Sequence, residues 1–234
     1  MTALRSGKRS GPPLAAPAAC DVRNYDFLRY VNKQRMVTFW YQLAEIMRLD
    51  VKSVLEVGIG PRIVAPVLRE LGKEVKTADV NPALEPDYLV QVQRLSSVVP
   101  AESADVILCA RVLHYVPPDE LDQTFAELHR VTRGYVIVTL PVDELRLSFG
   151  FYVTACRWRW ASIRMPLVLK RALLRLLPRR PEPTFGRTWK LDCRAGLTCA
   201  DLEAKMSKLF TVEKSYAIPE VATHHLFLLS KRAP

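Results

Sequence analysis

Residues 53–60 read Ser-Val-Leu-Glu-Val-Gly-Ile-Gly, and this stretch decides the fold. A short apolar run that contains one acid and closes with two glycines predicts a buried β-strand ending in a tight turn. Gly58 and Gly60 have no Cβ atom, so backbone N–H groups of the turn can approach a ligand closely, at the positive end of the following helix. The carboxyl end of this strand is therefore the predicted cofactor site.

A second strand is predicted at residues 74–78 and ends at Asp79, which lies 23 residues after Glu56. At this spacing the next parallel strand of a doubly wound sheet presents a carboxylate to a ribose, which indicates a nucleoside ligand. A nicotinamide-dependent oxidoreductase is one open alternative. Ile63 disfavours it, because this branched residue stands where the dinucleotide-binding turn has its last glycine.

The turn resembles motif I of the class I S-adenosyl-L-methionine (SAM) methyltransferases, because Glu56 stands two residues before the first glycine. In that motif the acid faces the positively charged methionine end of the cofactor. The resemblance covers roughly residues 25–232, and the segment 112–117, Val-Leu-His-Tyr-Val-Pro, is similar to the segment Val-Leu-Glu-His-Leu-Pro of an uncharacterised, type 11-like branch. It implies an α/β fold with a Rossmann-like, seven-stranded, mostly parallel sheet, an antiparallel last strand and helices on both faces. It also implies an enzyme that transfers a methyl group from SAM.

The resemblance places the site residues at the strand ends. Gln91 stands where an aspartate usually accepts a hydrogen bond from the adenine amino group, and its amide oxygen can accept the same bond. His114 follows the fourth strand and is the candidate catalytic base, since imidazole titrates near neutrality; a packing role is an equal alternative. No histidine has a partner at metal-site spacing. The predicted cofactor-binding residues are Glu56, Gly58, Gly60, Asp79, Val80, Gln91, Val92 and Ala110.

Two arginines depart from the family pattern. Arg62 occupies the third motif I position, where glycine is common, and its side chain either pairs with the cofactor carboxylate or blocks the pocket. Arg111 stands where related sequences carry an acid, and its charge would repel a sulfonium. A catalytically inactive descendant that serves as a membrane-surface binder or scaffold therefore stays an open alternative, because a fold can outlast its chemistry.

Further elements follow from apolar patterning. Strands are predicted at 105–109 and 135–141, and an antiparallel closing pair at 210–217 and 224–230. A helix is predicted from Pro118 to about Thr132, ended by Arg133-Gly134. Before the first strand, an apolar stripe at helical spacing predicts a helix that packs in the core, with Tyr41 near the cofactor. The stripe consists of Met36, Trp40, Leu43, Ala44 and Met47.

The positive charge is concentrated in one segment. The chain has 34 Lys and Arg against 24 Asp and Glu, a net charge of +10, and nine of the basic residues but no acid lie between residues 145 and 181. We interpret residues 145–182 as a basic, aromatic insertion with a helix at 166–177, beside the cofactor crevice. It indicates an acidic or lipid-linked acceptor and an anionic membrane surface as partner. Solvated arginines and, less favoured, nucleic acid are the alternatives.

The remaining composition defines the domain organisation. Residues 1–22 are basic, rich in Pro and Ala and without an apolar core, which predicts a disordered tail before one methyltransferase domain at 23–234. Five scattered cysteines without paired spacing indicate a reducing compartment. No apolar run approaches the ~18 residues that span a bilayer. The predicted location is cytoplasmic, peripheral to the inner membrane face.

Overall fold

The computed structural model describes residues 25, 30–142, 146–151, 159–164, 189, 191, 197–221 and 223–232. The predicted tail and the predicted helix at 166–177 lie outside these residues. Within the described part, no helix is long and apolar enough to cross a bilayer.

A seven-stranded sheet forms the centre of the molecule, as predicted. Its strands are β1 (Ser53–Val57), β2 (Glu74–Asp79), β3 (Tyr88–Leu89), β4 (Ala104–Ala110), β5 (Thr132–Pro141), β8 (Phe210–Ala217) and β9 (His224–Lys231), and their order is β3-β2-β1-β4-β5-β9-β8. The pairs among β1 to β5 are parallel, whereas β9 runs antiparallel to both β5 and β8. The order reverses between β1 and β4, which opens a crevice at the carboxyl ends of these strands.

Helices cover both faces of the sheet. They are α1 (Lys33–Met47), α2 (Val64–Glu70), α3 (Leu121–Val131) and α4 (Cys199–Met206). Side chains of β4 alternate between two cores: Val106 and Leu108 pack with α1 and α2, and Ile107 and Cys109 pack with α3 and α4. This alternation explains why the interior strands read as continuous apolar runs, since both faces of each strand are buried.

The end of α3 differs from the prediction. A 3-10 turn at Pro118–Glu120 leads into α3, and the helix passes at Thr132 directly into β5. Gly134 therefore lies within a strand and does not cap the helix. A Cβ atom at Gly134 would lie 3.1 Å from the carbonyl oxygen of Asp105, so the glycine serves the close approach of β4 and β5.

The orientation of α1 differs from the prediction. Three residues of the apolar stripe face outward, since Met36, Trp40 and Met47 are 44%, 56% and 42% exposed. The buried positions are Thr38, Gln42, Glu45 and Ile46. Apolar packing remains beside them, because Val37, Phe39 and Leu43 are partly buried against the core that contains Ile46. Polar contacts add to this packing: the Glu45 carboxylate lies 2.7 Å from Lys214 Nζ and 2.9 Å from Arg48 Nη1.

The described part of the basic insertion contains a β-hairpin, which the sequence did not predict. Strands β6 (Arg146–Phe151) and β7 (Arg159–Arg164) pair antiparallel outside the main sheet. The register places Arg146 opposite Arg164, and Phe149 and Ile163 are exposed. The first strand of the hairpin begins at Arg146, shortly after the carboxyl end of β5 at Pro141.

Candidate functional site

The turn after β1 is built around two glycines in the left-handed region. Gly58 has φ +81° and Gly60 has φ +54°, a conformation that L side chains rarely adopt. The Gly58 N–H donates to the carbonyl of Ala78 at 2.8 Å, which ties the turn to β2. A Cβ atom at Gly58 would lie 2.2 Å from Val112 Cγ2, so position 58 has no room for a side chain.

A cavity of about 200 Å³ opens beside this turn, at the carboxyl ends of β1, β2 and β4. All of the predicted cofactor-binding residues line it: Glu56, Gly58, Gly60, Asp79, Val80, Gln91, Val92 and Ala110. The fold thus brings together side chains that are far apart in sequence. That these residues bind a cofactor stays a prediction.

Glu56 presents a buried carboxyl group at the base of the cavity. The residue is 3% exposed, and its Oε2 accepts a hydrogen bond from the Ala65 N–H at 3.0 Å, at the start of α2. Burial raises the pKa of Glu56 to about 8, although the Ala65 hydrogen bond and the charge of Arg69 act in the opposite direction. The carboxyl group is therefore poised to ionise when a cation enters.

Asp79 joins two turns at the edge of the cavity. Its Oδ2 accepts from the Ile59 N–H and its Oδ1 from the Asn81 N–H, each at 2.9 Å. Burial raises the pKa of Asp79, and these backbone hydrogen bonds partly counter that effect. Asp79 thus fixes the turn after β1 relative to the turn after β2, and its carboxylate also lines the cavity.

The two departing arginines behave differently. Arg62 adopts φ +56°, which explains why glycine is common at this position, and its guanidinium lies 3.3 Å from the Ala83 carbonyl and 3.4 Å from Glu85 Oε2. It does not line the cavity, so the predicted blocking of the pocket is wrong, whereas its pairing with the cofactor carboxylate stays a prediction. Arg111 does line the cavity, and its N–H donates to the Thr139 carbonyl at 2.8 Å.

His114 does not face the crevice, contrary to the prediction. It is 1% exposed, lies in a 3-10 turn at Leu113–Tyr115, and its ring centroid is 4.2 Å from that of Tyr115. Tyr115, and not His114, lines the cavity. A catalytic base must reach the proton that it removes, so the geometry gives His114 no catalytic role.

Residues of α1 and of the segment before it form one side of the cavity, and none of these lining residues was predicted from the sequence. Tyr25, Tyr30, Arg35, Phe39 and Gln42 line this side. The Arg35 guanidinium carbon lies 3.5 Å from the Tyr30 ring centroid, a cation–π contact. Residues 35, 39 and 42 share one helix face, and this spacing was the available signal. Tyr41, which was predicted near the cofactor, instead donates to Glu220 Oε2 at 2.6 Å.

Comparisons with known proteins agree with this geometry. The family model described as a methyltransferase domain matches residues 55–138, which contain the turn, Asp79 and most of the cavity residues. This segment of the chain is thus similar to a methyltransferase domain. No relative was found among curated proteins. The match agrees with the enzyme class that the sequence predicts, a SAM-dependent methyltransferase.

Solved structures share the fold of this chain. The PH0226 protein of Pyrococcus horikoshii is 16% identical, with 89% of this chain and 94% of that chain covered and a TM-score of 0.56. The 1,6-didemethyltoxoflavin-N1-methyltransferase of Burkholderia thailandensis, with S-adenosylhomocysteine bound, is 18% identical over 96% and 94%, with a TM-score of 0.52. The N-methyltransferase NodS of Bradyrhizobium japonicum, also with S-adenosylhomocysteine, is 11% identical over 87% and 90%, with a TM-score of 0.54.

Acidic and basic side chains line different parts of the cavity. Carboxyl groups of Glu56 and Asp79 lie at the ends of β1 and β2, and the guanidinium groups of Arg35 and Arg111 belong to α1 and the loop after β4. Apolar walls come from Val57, Val64 and Val90 among others. Such a cavity suits a ligand that carries both an ammonium and a carboxylate group besides an apolar portion.

Proposed function

We propose that the cavity at the carboxyl ends of β1, β2 and β4 binds SAM and that the protein methylates an acidic or lipid-linked acceptor. The observation that carries the first part is the convergence of Glu56, Asp79 and Gln91, from three separate strand ends, on one cavity. In this proposal Asp79 accepts from the ribose hydroxyls, Gln91 from the adenine amino group, and Glu56 faces the methionine end. Val80 and Val92 flank the adenine.

When bound, SAM supplies an electrophilic methyl group. Methyl transfer is an in-line displacement that depends chiefly on how the acceptor is positioned, so a dedicated base is optional. Among the described residues, the protein contributes a cavity with apolar walls and a backbone turn that would fix the cofactor's position. Tyr115 and Arg111, after β4, stand where an acceptor would approach.

Calorimetry with SAM and with S-adenosylhomocysteine (SAH) tests the cofactor site. We expect both to bind, and we expect Asp79→Asn to weaken SAH binding by roughly ten- to a hundredfold, because a hydrogen bond to a charged group is lost. Glu85→Gln is the matched control, since Glu85 is exposed and outside the cavity. Absence of heat with both ligands would contradict the proposal and favour a fold without turnover.

The local basicity supports the acceptor part of the proposal. Nine basic residues lie between residues 145 and 181, and the β6–β7 hairpin in this segment sets Arg146 opposite Arg164 in register. The segment begins a few residues after the carboxyl end of β5, the end of the sheet at which the cavity opens, and the proposal places its charge there. An anionic acceptor, free or carried on a lipid at the membrane surface, fits that charge.

Vesicle sedimentation separates the lipid-linked acceptor from a soluble one. We expect binding to vesicles that contain phosphatidylglycerol but not to pure phosphatidylcholine, and a loss of several-fold with Arg146→Gln/Arg164→Gln. The control is Arg94→Gln/Arg130→Gln, which removes the same charge from exposed positions near α3. Equal binding to both kinds of vesicle would end the lipid-linked proposal.

A further inference from the structure

The inner face of α1 carries a buried hydrogen-bond acceptor beside the cavity. Gln42 is 1% exposed and lines the cavity, and its Nε2 donates to Thr139 Oγ1 at 3.0 Å. Its carbonyl oxygen Oε1 is buried and has no hydrogen-bond partner among the residues that the structure describes. A buried carbonyl without a donor is costly, so a ligand that supplies a donor at this point would be recognised strongly.

Strand register places this acceptor on the same face of the sheet as Glu56. Glu56 on β1 lies opposite Leu108 on β4, and Ala110, two residues farther along β4, lies opposite Thr139 on β5. Side chains two residues apart on a strand share a face, and Leu108 and Ala110 belong to the core beneath α1 and α2. The carboxyl group of Glu56 and Oε1 of Gln42 are thus two acceptors on one side of one cavity.

The complementary charge comes from cations that line the same cavity. Arg35 lies on the same face of α1 as Gln42, two helical turns earlier, and its guanidinium lies over the Tyr30 ring. Arg111 lies in the loop after β4. The two acceptors, Glu56 at the end of β1 and Gln42 on α1, together with the guanidinium groups of Arg35 and Arg111, match the two ends of an α-amino acid. Within SAM and SAH, only the methionine or homocysteine end has this pair of groups.

We propose that Gln42 binds the α-ammonium group of the cofactor, accepting its hydrogen bond through Oε1 while Thr139 holds the amide in place. The inference rests on the proposed function, in that it requires SAM in this cavity. Gln42 is thereby a binding residue that selects ligands with an intact amino group. The opposite amide orientation, with Nε2 toward the cavity, would select a carboxylate instead, and the experiment distinguishes the two.

Calorimetry with SAH and with its analogue lacking the amino group tests this role. We expect wild type to bind SAH at least about tenfold more tightly than the deamino analogue, and Gln42→Met to bind both alike, because the variant loses the acceptor. Gln42→Glu, which keeps an acceptor oxygen, retains the preference for SAH. Gln34→Met is the matched control, since it is the same substitution at an exposed position of α1.

The outcomes separate this inference from the proposed function. If wild type binds neither ligand, the cofactor site itself is wrong. If wild type binds SAH and Gln42→Met weakens SAH and the deamino analogue by the same factor, Gln42 does not contact the ammonium and the inference fails. If Gln42→Met weakens the binding of SAH but not the binding of an analogue that lacks the carboxylate, the Gln42 amide has the opposite orientation. Thermal unfolding of each variant identifies any change that comes from stability alone.

Discussion

Replacing Gly58 with alanine is expected to abolish measurable SAH binding and to lower the free energy of unfolding by about 2 to 4 kcal/mol. Two causes add. The backbone at Gly58 has φ +81°, where a side chain is strained, and the new methyl group would lie 2.2 Å from Val112 Cγ2. Val112 also lines the cavity, so relief of the clash moves the wall as well as the turn. Calorimetry and chemical denaturation measure the two effects.

Gly72→Ala is the control for backbone strain alone. Gly72 has φ +80° as well, but a Cβ atom there would have no heavy atom within 4 Å, and the residue lies outside the cavity. We expect this variant to lose about 1 to 2 kcal/mol of stability and to bind SAH like wild type. If the two alanine variants bind SAH equally well, the turn after β1 is not part of the cofactor site.

The affinity for SAH is expected to rise as pH increases from 6 to 8 and to level off above pH 8. Burial raises the pKa of Glu56 to about 8 in the ligand-free protein, so the carboxyl group is largely protonated at pH 6. Binding of an ammonium group favours the ionised form, and a proton is released on binding. The gain approaches tenfold per pH unit below pH 8. Calorimetry in buffers of different ionisation enthalpy measures the released proton.

Glu56→Gln isolates this group from Asp79, whose pKa is also raised by burial. The variant is expected to bind SAH weakly with a much flatter pH profile. The free energy of unfolding of the ligand-free wild type changes with pH in the opposite direction to the SAH affinity. Because the pKa of Glu56 in the folded protein exceeds its ordinary value of 4.5, this free energy falls as pH rises through 4.5 to 8. Glu56→Gln lacks that fall. An unchanged pH profile in the variant would rule out Glu56 as the titrating group.

The sheet and the strand side of the cavity could be predicted from sequence because local chemistry specifies them. Strand β1 ends before Gly58, where φ +81° and the nearby Val112 side chain leave no room for a Cβ atom, and Asp79 ends β2, from where its carboxylate reaches the Ile59 N–H. These constraints act within a few residues of the strand ends. The order of strands then follows from the parallel βαβ connections.

The rest depends on contacts between distant segments, which periodicity does not encode. The inward face of α1 is set by Thr139 on β5 and Lys214 on β8, which receive Gln42 and Glu45. The 3-10 turn at Leu113–Tyr115 buries His114 and brings the next residue, Tyr115, to the cavity. The β6–β7 hairpin is an exception, because Leu147, Phe149 and Phe151 alternate with polar or small residues in β6 and this pattern could have predicted a strand. The segment was interpreted from its positive charge instead.

The polar inner face of α1 affects ligand entry. Of its four buried positions only Ile46 is apolar, and Val37, Phe39 and Leu43 are only partly buried against the core. The Gln42–Thr139 hydrogen bond and the ion pair of Glu45 with Lys214 complete the attachment of the helix to the sheet. Water can replace polar contacts more readily than buried hydrocarbon. We therefore expect the amide protons of α1 to exchange with solvent sooner than those of β4 and β5, so that the cavity opens first on the α1 side.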